Sequence, residues 1–304
     1  MRPTTGDDYL ERLNRVRDHV YANLAGDLSV ETLARVGAFS PFHFHRVFRA
    51  LAGETVGDFV QRVRLQHALY LRTHAPRLAI KAVAARCGFS SPAVFSRAFR
   101  ARFDASPTAI DPRTAQKRKK RKAPAVATPE HLRTLPAART NATFAVRVEN
   151  LPIQHYAYIR VFNPYANPAA IMSAYARVRV WLEKHTVPPA RLKLIGLSGD
   201  DPDITPGEEC RYDAGYLLPA RGARRGSGGV GVTTIAAGPH ALATCQGDIH
   251  AVVAAWDFLF QVWLPRSGYE PADAPCFEIM HADPAERQYT HFNLECALPL
   301  RRSG

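Results

Sequence analysis

Apolar residues recur at intervals of three and four through the first hundred positions, which is the period of helices with one buried face. The first such series predicts a helix that ends before Gly26-Asp27: Leu10, Leu13, Val16, Val20 and Leu24. A short second helix is expected over Val30 to Val36, with Ser29 as its N-cap and Gly37 after its end. The N-terminal part of the chain is therefore predicted to be all-helical.

Part of this helical pattern occurs twice in the sequence. A shift of 51 residues aligns ETLARVGAFSPFHFHRVFRA (31–50) with AVAARCGFSSPAVFSRAFRA (82–101), and ten of the twenty positions are identical. Ser40-Pro41 and Ser91-Pro92 each predict a helix start, because serine caps free backbone amides and proline suits the first helical position. Each copy thus reads as a helix-turn-helix. A helix over about residues 57–73, roughly 25 Å long, is expected to separate the copies.

The second helix of each copy has an apolar face and a polar face. The predicted core faces are Phe44, Val47, Phe48 and Leu51 in the first copy, and Phe95, Ala98, Phe99 and Phe103 in the second. The opposite faces are Phe42, His45, Arg46 and Arg49 in the first copy, and Ala93, Ser96, Arg97 and Arg100 in the second.

These polar faces suit a DNA major groove. Arginine can bind guanine with two hydrogen bonds, histidine and serine can reach base edges, and an outer arginine can bind phosphate. One such face could be only a solvated basic surface, but two copies with their arginines in register favour DNA contact. His43 and His45 are two residues apart and point to different sides of a helix, so no metal site is predicted there. No cofactor is predicted for the chain.

The distribution of charge supports the same interpretation. The net charge is +13, and residues 1–122 hold 23 Lys and Arg against 10 Asp and Glu, whereas the other residues hold 17 of each sign. A polyanion-binding N-terminal domain joined to a neutral domain has this distribution. The five scattered cysteines and the lack of a long apolar run favour a cytoplasmic protein without a membrane segment.

The chain is divided here into a DNA-binding domain (1–113), a linker (114–142) and a C-terminal domain (143–304). The linker is polar and contains several prolines. Its basic run KRKKRK (117–122) could be a solvated tether or an additional arm that contacts phosphate.

The C-terminal region reads as strands and longer helices in a repeated β-α-β-β order. At an offset of about 82 residues, Val180-Trp181-Leu182 aligns with Val262-Trp263-Leu264, and residues 194–199 align with 276–281. The duplication predicts an α+β domain with one curved antiparallel sheet, both helices on one face and a cleft along a pseudo-twofold axis.

Glu278 is the outstanding polar residue of this region. It lies within the apolar strand CFEIM, at the position that Gly196 occupies in the first copy. A buried carboxylate is costly unless a cation or hydrogen-bond donors meet it. Either the protein supplies such a partner or a ligand does.

Two family resemblances extend these predictions. The tandem helix-turn-helix units and the run GFSSPAVFSRAFRARFDASPTAI (88–110) resemble the DNA-binding domain of the AraC/XylS family of transcription regulators. The resemblance implies that each second helix enters a major groove of promoter DNA. It implies contacts to bases or phosphates from six residues: Phe42, His45, Arg46, Ala93, Ser96 and Arg97.

The run WLPRSGYEPADAPCFEIM (263–280) resembles the GyrI-like effector-binding domain. That resemblance implies a cleft for a small, often cationic and lipophilic molecule, with Glu278 at its centre and Trp263, Tyr269 and Tyr158 as wall residues. The resulting hypothesis is a transcription regulator, without enzymatic activity, that senses an effector and meets RNA polymerase. The alternatives for the C-terminal domain are a GyrI-like hydrolase and a protein-interaction module.

Overall fold

A computed structural model describes residues 5–110 and 143–302, apart from positions 165, 186–187, 189–191, 201–204, 206, 220–225, 273 and 288, and apart from the side chains of residues 5–8 and 41–43. It contains two compact units, one helical and one built on a β-sheet. The predicted linker and its basic run lie outside the described residues. Within the described part, no helix is both long and apolar enough to cross a membrane.

Within residues 5–110, six helices form the helical unit, and their order confirms the predicted all-α class. They are α1 (Thr5–Ala22), α2 (Val30–Val36), α3 (Pro41–Ala52), α4 (Val56–His74), α5 (Ile80–Arg86) and α6 (Pro92–Phe103). Ser29 caps α2 as predicted, because its Oγ accepts a hydrogen bond from the Thr32 amide at 3.3 Å. Ser91 caps α6 in the same way, with the Val94 amide as the donor at 3.2 Å.

Each helix-turn-helix copy has its own core, and α4 contributes to both. The first core contains Phe44 and Phe48 and uses the N-terminal half of α4. The second contains Phe95 and Phe99 and uses its C-terminal half. The two phenylalanine pairs make equivalent edge-to-face contacts, with centroids 5.7 Å and 5.4 Å apart. The prediction that Leu51 belongs to the core is wrong, since it is 40% exposed.

The turns of the two copies differ by one residue. The Phe39 amide donates to the Ala34 carbonyl in the first copy, and the Phe89 amide donates to the Ala84 carbonyl in the second, which is an offset of 50 rather than 51. Helices α3 and α6 keep the offset of 51 because the second turn contains one more residue before its proline. The gapless alignment therefore pairs the wrong residues in the first helix of each copy and in the turn after it.

The sheet unit confirms the predicted α+β class. Its strands are β1 (Val146–Leu151), β2 (Gln154–Phe162), β3 (Leu194–Ser198), β4 (Arg211–Leu218), β5 (Gly231–Ile235), β6 (Gly238–Gly247), β7 (Tyr269–Pro271), β8 (Cys276–Met280) and β9 (Phe292–Arg302). Helix α7 (Pro168–Lys184) connects β2 to β3. Helix α8 (Ile249–Asp257) follows β6 and continues as a π-helix over Phe258–Trp263.

The strand order shows the internal duplication. It is β1-β6-β9-β8-β3-β4-β2-β5, with β7 paired to β9, and the two copies meet where β3 pairs antiparallel with β8. β1 immediately precedes β2 in the chain, yet it pairs with β6 of the second copy. β5 immediately precedes β6, yet it lies next to β2 of the first copy. The two copies have thus exchanged their first strands.

The two faces of the sheet have different roles. Helix α7 and helix α8 cover the same face, because Tyr175 of α7 and Trp256 of α8 both bond to groups on it. The opposite face holds a core that includes Leu151 of β1 and Ile235 of β5, strands at the two ends of the sheet. This core therefore extends across the sheet from one end strand to the other.

Candidate DNA interface and effector site

Helix α3 presents a basic surface on the side away from its core. His45, Arg46 and Arg49 are exposed, whereas Phe44 and Phe48 on the opposite side are fully buried. The Phe42 side chain, also predicted to contact DNA, lies outside the described part of the helix. The structure thus brings three of the four predicted residues of the first copy together on one accessible face.

Helix α6 presents the corresponding surface of the second copy. Ala93, Arg97 and Arg100 are exposed and Ser96 is partly exposed, while Phe95 and Phe99 are buried on the other side. All four predicted residues share one face. A helix with a rigid aromatic core side and an outward stripe of arginines can bind phosphates and base edges together.

Arg12 of α1 fixes the turn before α3, and sequence reasoning missed it. Its Nε donates to the Gly37 carbonyl at 2.8 Å, and its guanidinium also bonds the Ala38 carbonyl. The same group lies 3.8 Å from the centre of the Phe39 ring, which stacks on Phe44. Arg12 therefore connects the first helix to the start of α3. No spacing in the sequence indicated this, because the partners are backbone carbonyls.

Glu278 lies at the centre of the sheet unit, on the face covered by the two helices. Its side chain is buried, and its two carboxylate oxygens have different donors. The Tyr212 hydroxyl donates to Oε2 at 2.9 Å, and the Trp256 indole donates to Oε1 at 3.1 Å. Burial raises the pKa of Glu278, and these two hydrogen bonds oppose that shift only in part.

A second tyrosine extends this hydrogen-bonded chain. The hydroxyl groups of Tyr175 and Tyr212 are 3.3 Å apart, and Tyr175 also donates to the Ile195 carbonyl at 3.2 Å. Burial raises the pKa of both tyrosines well above the usual value, so both stay neutral. With Glu278 ionised, Tyr212 donates to it; with Glu278 protonated, the acid can donate to Tyr212 and Tyr212 to Tyr175. The site can thus hold either charge state.

Gly196 makes room for this arrangement. It is the direct partner of Glu278 in the β3–β8 pairing. A β-carbon at this position would lie 1.7 Å from the Tyr212 hydroxyl oxygen and 2.9 Å from Glu278 Oε2. The asymmetry between Gly196 and Glu278, visible in the sequence alignment of the two copies, therefore has a steric cause.

The structure divides the three predicted wall residues into two groups. Trp263 and Tyr269 stack on each other with centroids 6.4 Å apart and planes 13° apart, at the end of the helix that carries Trp256. Tyr158, the third predicted wall residue, does not share a sheet face with Glu278. The strand register places it on the opposite sheet face, where it is buried beside Tyr156 with centroids 5.3 Å apart.

The residues that do contact the carboxylate were not predicted. Trp256 stands seven residues before Trp263 on the same helical segment, and Tyr212 comes from β4. The aromatic composition of the segment was the available signal, but the choice among its members depends on strand and helix register.

Thiol groups near Glu278 are unreactive. Burial raises the pKa of Cys245 to about 11, and the charge of Glu278 adds to the shift. Burial also raises the pKa of Cys296, the strand partner of Glu278, well above its usual value. Both thiols are therefore protonated at neutral pH and are poor nucleophiles. Among the described residues, no three potential metal ligands come together.

Comparison with protein families gives one match for each unit. A family model described as a GyrI-like small molecule binding domain matches residues 144–301. A model described as a helix-turn-helix domain matches residues 33–113. Together the matches include the second half of α2, α3 to α6 and nearly the whole sheet unit.

Individual relatives divide in the same way. The DNA gyrase inhibitor of Serratia proteamaculans is 30% identical over 142 residues, which are 44% of this chain and 84% of that protein. The HTH-type transcriptional regulator GlxA of Rhizobium meliloti is 40% identical over 78 residues, 26% of this chain and 24% of that one. The solved DNA-binding domain of AdpA in complex with a target DNA is 28% identical, with a TM-score of 0.31, covering 37% of this chain and 96% of that chain.

Proposed function

Since the chain belongs to the family of GyrI-like small molecule binding domains and carries an AraC-type helix-turn-helix DNA-binding domain, we propose that it is a transcription regulator controlled by a lipophilic cation. In this proposal α3 and α6 bind promoter DNA, and the effector binds against Glu278. The effector acts by favouring one state of the regulator, which changes how it meets DNA or RNA polymerase. Such a protein works in the cytoplasm, where bacterial promoters are.

The environment of Glu278 carries the proposal for a cation. In the described part of the chain, the hydrogen-bond donors to the carboxylate are a phenol and an indole, both neutral. Neutral donors orient a carboxylate but do not balance its charge, so the raised pKa persists. A bound cation would supply the missing charge, and aromatic rings beside it would favour a lipophilic one.

The experiment is a thermal-shift and calorimetric titration of the full-length protein with tetraphenylphosphonium. Triphenylphosphine oxide, which is similar in shape but uncharged, is the control ligand. We expect stabilisation by the cation alone and at least about a tenfold loss of affinity in Glu278→Gln, equivalent to one lost charge interaction. Glu286→Gln, which removes an exposed carboxylate, should bind as wild type. Equal binding by wild type and Glu278→Gln would contradict the proposal.

A hydrolase is the second candidate, and the contact between Tyr212 and Glu278 is the observation that favours it. A carboxylate paired with a tyrosine can move a proton during hydrolysis. Incubation of the protein with candidate esters and amides, followed by chromatography of the products, distinguishes the two. Turnover that disappears in both Glu278→Gln and Tyr212→Phe would support the hydrolase, whereas binding without turnover supports the regulator. A domain that instead retains a specific polypeptide would be an interaction module.

A further inference from the structure

Arg64 lies where the two helix-turn-helix copies meet. It projects from the middle of α4, between the residues of that helix that belong to the first core and those that belong to the second. Its Nε donates a hydrogen bond at 3.0 Å to the carbonyl of Leu24, which lies between α1 and α2 and packs against the first core. The arginine is partly buried by this contact.

The turn of the second copy packs against the same two groups. Gly88 precedes α6 and has a φ of +72°. A β-carbon on Gly88 would lie 2.1 Å from the Leu24 carbonyl oxygen and 2.7 Å from Arg64 Nη2. The backbone of the second turn therefore approaches the first copy as closely as a residue without a side chain allows. Arg64, Leu24 and Gly88 form a junction between the copies, named here the Arg64 junction.

The Arg64 junction adds a second connection between the two copies, beside the long helix α4. The two cores share no residue, so α4 is the main element common to both copies. At 1.5 Å per residue its 19 residues span about 28 Å, and a bend of about 10° would displace the far end by about 5 Å. One base pair advances about 3.4 Å along DNA and turns it by about 34°. A bend of that size therefore matters for the reading of two grooves.

We infer that Arg64 is a positioning residue that sets which spacing between two half-sites the protein accepts. This inference rests on the proposed promoter binding by α3 and α6. Arg64 holds the Leu24 carbonyl against the turn that begins at Gly88, and so fixes the second reading helix relative to the first. Removal of the Arg64 side chain should leave the exposed basic faces of α3 and α6 intact but allow the distance between them to vary.

The test measures spacing preference rather than affinity alone. A binding site is first selected from random double-stranded DNA with the full-length wild-type protein, and a version with one base pair inserted between the half-sites is then made. We expect wild type to bind the inserted site at least about 30-fold more weakly, the loss expected when one helix leaves its base contacts. In Arg64→Met the ratio of the two dissociation constants, inserted site over selected site, should fall below about fivefold.

Matched variants separate positioning from simple loss of folding. Arg62→Met, two residues away, removes an arginine that bonds Glu54 and Gln66, and it should keep the wild-type spacing preference. Arg64→Lys retains a hydrogen-bond donor and should recover part of the wild-type spacing preference. Circular dichroism should show the same helical content in all three variants.

The outcomes are distinct. A wild-type ratio in Arg64→Met with normal helical content overturns the inference, and so does relaxation by Arg62→Met of the same size. Selection of a site that only one helix reads would also overturn it. Selection of no sequence at all would instead contradict the proposed function.

Discussion

Gly196 lies directly opposite Glu278 in the β3–β8 pairing, and the absence of its side chain gives the Tyr212 hydroxyl its place beside the carboxylate. The central glutamate is thus held by three strands together: β8 carries it, β3 leaves the space, and β4 supplies the donor. Substitution at any of the three positions should affect the other two.

Gly196→Ala should destabilise the sheet unit by about 1–3 kcal/mol, because its β-carbon would overlap the Tyr212 hydroxyl and force the ring away from Glu278. Thermal unfolding followed by tryptophan fluorescence measures the effect, and effector binding should weaken in parallel. Gly207→Ala is the matched control, since its β-carbon would meet only Asn163 Oδ1 at 3.9 Å. An unchanged unfolding temperature in Gly196→Ala would contradict this packing.

Glu278→Gln should stabilise the protein without effector, increasingly so as the pH rises. The native pKa of Glu278 lies above the usual value near 4.5, so the native state holds its proton when the unfolded state has released it. The stability that Glu278 contributes is therefore present below about pH 4.5 and is lost as the pH rises through the native pKa. The loss is about 1.4 kcal/mol for each unit by which the native pKa exceeds the unfolded one. Glutamine does not titrate.

Unfolding temperatures of both proteins between pH 4 and pH 8 test this. The difference between variant and wild type should grow with pH and then level off above the native pKa. A difference that is constant over the whole range would show that Glu278 has an ordinary pKa.

Arg46→Ala and Arg97→Ala should each cost about 1–3 kcal/mol of specific DNA binding, because each removes an exposed arginine from the centre of a reading face. Gel-shift titrations at fixed salt on a selected site measure the loss. Arg266→Ala removes one exposed positive charge from the sheet unit and should bind as wild type. If both reading-face variants bind normally, α3 and α6 do not read the site.

Ala38→Gly should stabilise the helical unit by about 0.5–1 kcal/mol. Ala38 has a φ of +54°, a conformation in which a β-carbon costs about 1–2 kcal/mol. Glycine removes this strain, but it also increases the conformational entropy of the unfolded chain, which offsets part of the stabilisation. The equivalent turn of the second copy already has Gly88 at a φ of +72°. Thermal unfolding of the helical unit within the full chain checks the sign, and a lower unfolding temperature would refute it.

The sequence was sufficient for features that depend on local pattern. Helix α2 has its predicted bounds, α4 lies within one residue of its expected ends, and the exposed arginines of α3 and α6 follow from helical periodicity. Glu278 was found for a similar reason, because a carboxylate inside an apolar strand contrasts with its neighbours. Each of these features is specified by residues close together in the chain.

Features that depend on register were beyond sequence reasoning. Tyr158 was predicted to line the cleft around Glu278, but one residue of strand register decides the face, and the pairing turns Tyr158 to the other side. Trp256 donates to the carboxylate, whereas Trp263 lies seven residues further along the same segment, at the end of the π-helix over Phe258–Trp263. Arg12 and Arg64 bind backbone carbonyls, which leave no mark in the sequence.

The exchange of first strands has a consequence for the origin of the sheet unit. Neither copy is complete alone, because β1 lies against the second copy and β5 against the first. Two separate half-length chains that traded these strands would build the same sheet around the same axis. The contact between β3 and β8 would then be the interface of a symmetric dimer, with position 196 and position 278 identical. A symmetric dimer would carry two glutamates or none at that axis, so joining the halves into one chain is what allows a single carboxylate to stand there.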